Sequence, residues 1–302
     1  MRTIPRREFL KTSAAFAATL AFAPQRLFAQ APSAAPAARV VVVHGTDIAL
    51  MLKTGVDALG GWGAFVKTGA RATLKPNVGW ASTPEQGANT HPALVEACIL
   101  ACLAAGAAAV VIPEKPCSPA KVSFEMSGIG ATAKRAGAKL YEPDDEKDFR
   151  PVDIPRGQKL KTADVVRDVI DAACLINMPV AKNHGGGRMT ACMKNWMGSV
   201  RDRGFWHRNN LHQCIADFST VVKAHLNIVD ATRIMVTNGP RGPGRLETPN
   251  QILFGTDPVA VDAYAATLFG KEPFSIPYIQ IAHDMGIGCG DLAKVDLLHL
   301  QA

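Results

Sequence analysis

The feature that most constrains the fold is an alternation. Short apolar or β-rich runs at residues 40–44, 72–74, 108–112, 139–141, 174–180, 226–229 and 251–254 are separated by longer stretches with helical signals. A run such as VVVV, apolar at every position, buries both faces of a strand, so helices must lie above and below the sheet. The pattern predicts an α/β fold: an open, doubly wound, mostly parallel sheet with helices on both faces. The connecting stretches supply the helices. They are predicted at 47–67 with a break near Gly60-Gly61, from Pro92 to 105, and at 122–136, 190–199, 211–225 and 258–269. Pro92 sits in a first turn, where its missing N–H costs least, and Asp257 is the N-cap before Pro258. The apolar stretch 97–112 is divided by Gly106 into a helix end and a buried strand rather than forming one membrane span. The PDDEKD segment, 143–148, reads as a solvated loop.

The first 29 residues read as an address rather than as part of the fold. Arg6-Arg7-Glu8-Phe9-Leu10-Lys11, an apolar stretch over 14–23 and a cleavage point at Ala29 resemble a twin-arginine export signal. The apolar stretch is shorter than the ~20 residues a membrane-spanning helix needs. The reading predicts passage through the twin-arginine translocase, a periplasmic or otherwise exported location, and no membrane span in the mature chain. Residues 30–38 are a Pro/Ala tether, and 39–302 form a single α/β domain. Of the 33 Lys/Arg and 26 Asp/Glu, the signal takes five and one with it, so the formal charge falls from +7 to +3. With no Lys/Arg run and 6% aromatic residues, nothing here supports a nucleic-acid surface. Seven cysteines without regular spacing make no disulfide framework and no ferredoxin-type iron–sulfur motif. Most sit in apolar contexts as small core residues.

The chemistry collects where strands end. Residue 74 leads into Lys75 and Asn77, 112 into Glu114 and Lys115, 180 into Lys182 and His184, 229 into Asp230, and 254 into Asp257. Ligands of open α/β sheets bind beyond the carboxyl ends of the strands. The densest stretch is VAKNHGGGRMTACMKNWMG, 180–198, which reads as a strand-to-helix ligand loop. Gly185, Gly186 and Gly187 can take positive φ and let a ligand approach main-chain N–H groups. A helix starting near Thr190 would add its dipole, and Arg188 a two-pronged grip on an anion. The spacing matches neither a P-loop nor a dinucleotide fingerprint. A small anionic ligand is therefore expected. Lys182, His184, Lys194, Asn195 and His212 are the catalytic candidates. Lys75, Asn77, Gly185–Gly187, Arg188, Asp230, Asp257 and Asp262 are the ligand-binding ones. His184 is open to two readings, general acid/base or metal ligand, and Lys182 serves as a base if desolvation lowers its pKa. His91, His207 and His212 have capping or packing as their plainer role. Nothing has diagnostic metal spacing, and cofactor and metal stay unassigned.

Lys75-Pro76-Asn77, Thr90-His91-Pro92, Lys182-x-His184, Lys194-Asn195 with Gly198, His212, Ile228-Val229-Asp230-Ala231, Asn238-Gly239-Pro240 with Gly242, Gly255-x-Asp257-Pro258-Val259-Ala260-Val261-Asp262 and Gly286-Ile287-Gly288 occur in an order that resembles the domain of unknown function 362 family. The resemblance covers nearly the whole mature chain. It implies no assigned activity. Some members carry an added ferredoxin-like domain, which hints at redox or cofactor-linked work, but that domain's cysteine run is absent here. Two readings follow. One is an exported enzyme acting on or with a small anionic molecule, by proton transfer or cofactor-dependent redox. The other is a non-catalytic accessory protein that binds a ligand, metal or cofactor for a redox partner.

Overall fold

The computed structural model describes residues 38–302, so the export signal and all but the last residue of the tether lie outside the described part. The chain opens with β1 (Arg39–His44), α1 (Ile48–Asp57), β2 (Arg71–Pro76), α2 (Pro92–Ala104) and β3 (Ala109–Pro113). It continues through α3 (Ala120–Met126), α4 (Ile129–Ala136), β4 (Lys139–Tyr141), a hairpin of β5 (Phe149–Asp153) and β6 (Thr162–Val166), and α5 (Arg167–Ile170). Next come β7 (Cys174–Met178), β8 (Val180–His184), β9 (Arg188–Thr190), α6 (Cys192–Asn195), α7 (Arg203–Arg208) and α8 (Leu211–Phe218). The last part holds β10 (Leu226–Met235), β11 (Leu246–Glu247), β12 (Gln251–Gly255), α9 (Pro258–Thr267), α10 (Pro277–Asp284) and β13 (Asp296–Gln301).

The main sheet runs β13-β1-β12-β10-β7-β2-β3-β4, with every strand parallel to the rest except β12, which is antiparallel to both neighbours. Period-two alternation sends Val41 and Val43 of β1 into one core, with α1, α2 and α4, and Val40 and Val42 into the other, with α6 and α8–α10. Both faces of the central strands are thus dry, which is why their sequences are apolar at consecutive positions. On the first face α1 comes so close to β12 that a Cβ at Gly55 would strike the Phe254 ring.

The order of strands creates one switch point. From β2 the chain moves outward to β3 and β4, then returns to place β7 on the other side of β2. Loops leaving β2 and β7 at their carboxyl ends diverge, and the crevice between them is where such folds hold ligands.

Several elements differ from the sequence reading. The helix expected over 122–136 is two helices, broken at Gly128 with φ 73°. The first helix stops at Asp57, and a single 3-10 turn, Trp62–Ala64, is all that follows the glycines. The helix at Leu211 ends at Phe218 rather than 225. The strand at Leu226 runs on to Met235 because β8 and β11 give its extension further partners. The hairpin β5–β6, α10 and β13 had no sequence signal strong enough to place them.

Candidate functional site

The ligand loop at 180–198 is a hairpin. β8 continues past Val180 to His184, turns through Gly185–Gly187, and returns as β9, with Lys182 opposite Thr190 and His184 opposite Arg188. None of the three glycines is at positive φ. The left-handed residue is Arg188, φ 65°, and it is exposed on the outside of the turn. Gly187 is needed for a different reason: a Cβ there would lie 2.6 Å from Lys194 Cε. The expected helix at Thr190 is one turn, Cys192–Asn195, followed by a 3-10 turn, Trp196–Ser199. Its N-terminal N–H groups are taken by Asp262, whose Oδ1 accepts from Cys192 N at 2.6 Å and Oδ2 from Met193 N at 3.1 Å. That helix end is therefore closed to a ligand.

Two other carboxylates among the ligand candidates also serve the scaffold. Asp230 accepts from His91 N and from the main chain and hydroxyl of Thr232. Asp257 caps α9 through Val259 N and Ala260 N and ties in Cys289 N. His212 is stacked on Tyr278 with ring centroids 6.0 Å apart. His91 is the N-cap of α2, its Nδ1 accepting from Ala93 N.

Five of the candidates meet at one cavity of about 270 Å³ outside the β2–β7 crevice, a size suited to a small molecule, whereas Gly185–Gly187, Arg188 and His212 do not line it. Asn77, Lys182, His184, Lys194 and Asn195 line it, together with Glu114, Lys115, Cys117, Arg203 and His207. Lys75 lies beneath, fully buried, its Nζ 2.6 Å from Glu114 Oε2. Burial lowers the Lys75 pKa and the Glu114 carboxylate pulls it back up. Gly198 allows this pair to reach the cavity floor, since a Cβ there would overlap Glu114 Oε1 and come within 2.8 Å of Lys75 Nζ.

The electrostatics of the cavity are unbalanced. Glu114 is committed to Lys75, and among the described residues no carboxylate pairs with Lys182, Lys194 or Arg203. Arg203 donates to the carbonyls of Lys115 and Pro116 and to the Cys117 sulfur. Lys194 is 7% exposed, and among the described residues its one partner is the Met197 thioether at 3.4 Å. Burial, opposed by Cys117 and aided by repulsion from Arg203, brings its pKa down to about 8. Burial and then repulsion from Lys194 bring Lys182 down to about 7. Lys182 Nζ donates to Asn77 Oδ1 at 2.6 Å and to the Ala88 carbonyl. A neutral amine has two N–H donors, so these acceptors leave its lone pair for the cavity side.

His184 is held neutral, its pKa pushed down to about 3 by burial and then by Lys194, Lys182 and His207. Its Nδ1 accepts from Gly187 N at 3.0 Å, which puts the ring proton on Nε2. Thr190, 4% exposed, also lines the cavity, and its hydroxyl has no hydrogen-bond partner among the described residues. Among the described residues there is no group of three or more His, Cys, Asp or Glu placed to hold a metal ion, and no helix long and apolar enough to cross a membrane. All seven cysteines are free thiols; Cys117 is exposed at the cavity and Cys289 half-buried, while the other five are buried.

Sequence reasoning passed over Arg203, Thr190, Asn177 and Asn227. The last two carried a signal: each is a lone amide inside an apolar strand run, CLINM and LNIVD, and a buried amide needs partners.

The fold and the site together define an α/β protein with a mostly parallel sheet and a cationic cavity at its switch point. Residues 73–267 match the Domain of unknown function (DUF362), and the chain belongs to that family. It is 26% identical over 255 residues to a thylakoid-associated protein of Synechocystis sp., covering 78% of this chain and 74% of that one. It is also similar to the structure of the lactate racemase apoprotein from Thermoanaerobacterium thermosaccharolyticum at a TM-score of 0.36 and 10% identity. That match covers 69% of this chain and 54% of the racemase's length.

Proposed function

We propose that the cavity binds a small anionic molecule and that the protein is an enzyme moving a proton on it, with Lys182 as the base. The observation that carries the reading is that Lys182, Lys194 and Arg203 line one cavity without a carboxylate partner among the described residues. A buried cation left unpaired is costly, and an anionic ligand supplies the missing charge. Lys194, mostly protonated at pH 7, serves as the fixed counter-ion. Lys182, with a pKa of about 7, exchanges a proton at little cost near neutrality. Neutral His184 offers its Nε2–H to an oxygen that gains charge when the proton leaves. The twin-arginine pattern extends the proposal to an exported protein; replacing Arg6 and Arg7 by lysine should then block export of the full chain.

The reaction is tested without knowing the substrate. A panel of small carboxylates is incubated with the protein in D2O and followed by proton NMR. Loss of the C–H signal next to a carboxylate is expected, and it should disappear in Lys182→Met. Tight binding of a panel anion with no exchange in any member would instead favour a carrier that serves a redox partner. No binding of any anion would remove both readings.

A further inference from the structure

Five side chains form one directed chain of hydrogen bonds that ends at Lys182. Asn227 Nδ2 donates to the Gly255 carbonyl at 3.3 Å, and Asn177 Nδ2 donates to Asn227 Oδ1 at 3.0 Å. Asn195 Nδ2 donates to Asn177 Oδ1 at 2.9 Å, Asn77 Nδ2 to Asn195 Oδ1 at 3.2 Å, and Lys182 Nζ to Asn77 Oδ1 at 2.6 Å. The sheet register builds the row: Gly255, Asn227, Asn177 and Lys75 are successive partners across β12, β10, β7 and β2. Asn177, Asn195 and Asn227 are each at most 2% exposed.

The direction is forced. A main-chain carbonyl only accepts, so Gly255 O fixes the amide of Asn227, Cys192 O that of Asn177, and Lys75 O that of Asn195. With those three set, only the Asn77 nitrogen can face Asn195, and its oxygen is turned to Lys182.

We infer that Asn195, which the Lys75 carbonyl orients, dictates which end of the Asn77 amide faces Lys182, and that Asn177 and Asn227 act through it as positioning residues that polarise the row, so that the Lys182 nitrogen is held with one valence open to the cavity. This rests on the cavity reading above. The carbonyl end favours the ammonium form, whereas the amino end would repel it. Oriented amides in series polarise one another, so a break anywhere in the row weakens the last link. The row therefore opposes burial and keeps the Lys182 proton affinity near neutrality.

The test reads Lys182 directly in the full-length protein. The Cε resonance of 13C-labelled lysine is followed against pH, and Lys182 is identified by its absence in Lys182→Arg. Asn177→Leu, which cuts the row without touching the cavity, should lower the Lys182 midpoint by about one pH unit, a tenfold loss of proton affinity. Asn177→Ser is the second variant should leucine prevent folding. Asn227→Asp is the conservative control: its buried acid stays protonated, donates O–H to Gly255 O and accepts from Asn177. It should leave the midpoint at its wild-type value. A lower thermal midpoint with an unmoved Lys182 titration in both Asn177 variants overturns the inference, because a merely structural row would behave that way. Binding of inorganic phosphate to the wild-type protein is measured beside it. Failure of phosphate and carboxylates to bind removes the proposed function while a shifted titration still sustains the row.

Discussion

Lys194 shows what a single residue contributes here. Its ammonium is buried, has only a thioether for a partner among the described residues and lies in a cavity with other cations. Methionine fills much the same volume without the charge, so Lys194→Met should raise the stability of the ligand-free protein by about 1 kcal/mol. The same change should abolish anion binding. Thermal unfolding with and without phosphate measures both: a higher midpoint that phosphate no longer moves is the expected result. Gly198 marks the opposite case, where the smallest side chain protects an ion pair. A Cβ there displaces Glu114 from Lys75, so Gly198→Ala should cost about 3 kcal/mol, the scale of breaking a buried pair.

Among the elements, the short helix α6 is the piece on which the cavity depends. It carries Lys194 and Asn195, and one turn of helix has no stability of its own. Asp262, reaching from α9, holds its first two N–H groups, and burial raises the Asp262 pKa to about 7. Asp262→Asn turns one of those acceptors into a donor and should cost about 2 kcal/mol. Because it loosens α6, it should also weaken anion binding. Asp257→Ala removes the cap of α9 and the tie to Cys289, for about 1–2 kcal/mol, with anion affinity unchanged. Both carboxylates were read from the sequence as ligand-binding, and a titration with phosphate separates the two.

At the scale of the whole molecule, the unpaired lysines give stability a dependence on pH. Lys182 and Lys194 fall from an ordinary 10.5 to about 7 and about 8 in the folded protein. Between those values and 10.5 the unfolded chain holds more protons than the folded one, so stability rises with pH over that window. It is lost as pH falls from about 10.5 towards the folded values and levels off below them. The thermal midpoint of the ligand-free protein should therefore climb from pH 7 to pH 9. The increment added by phosphate should shrink over the same range, because deprotonated lysines no longer attract it. A midpoint flat from pH 7 to 9 would mean that the two lysines are not desolvated.

The apolar runs by themselves determined the sheet, its helical cover and most of its parallel order, because burial on both faces leaves a period in the sequence that neighbours cannot erase. The rule that ligands gather beyond strand ends was enough to bring Lys182, His184, Lys194, Asn195 and Asn77 to one place. Only the tertiary structure decided that Asp230, Asp257 and Asp262 bind main-chain N–H groups instead, that the glycines make a hairpin, and that Arg203 closes the far wall. A carboxylate has the same composition whether it meets a ligand or a backbone, and what it meets depends on a helix distant in the chain. The row of amides was decided in the same way: strand register, fixed only when four strands pair, sets Asn227, Asn177 and Lys75 side by side.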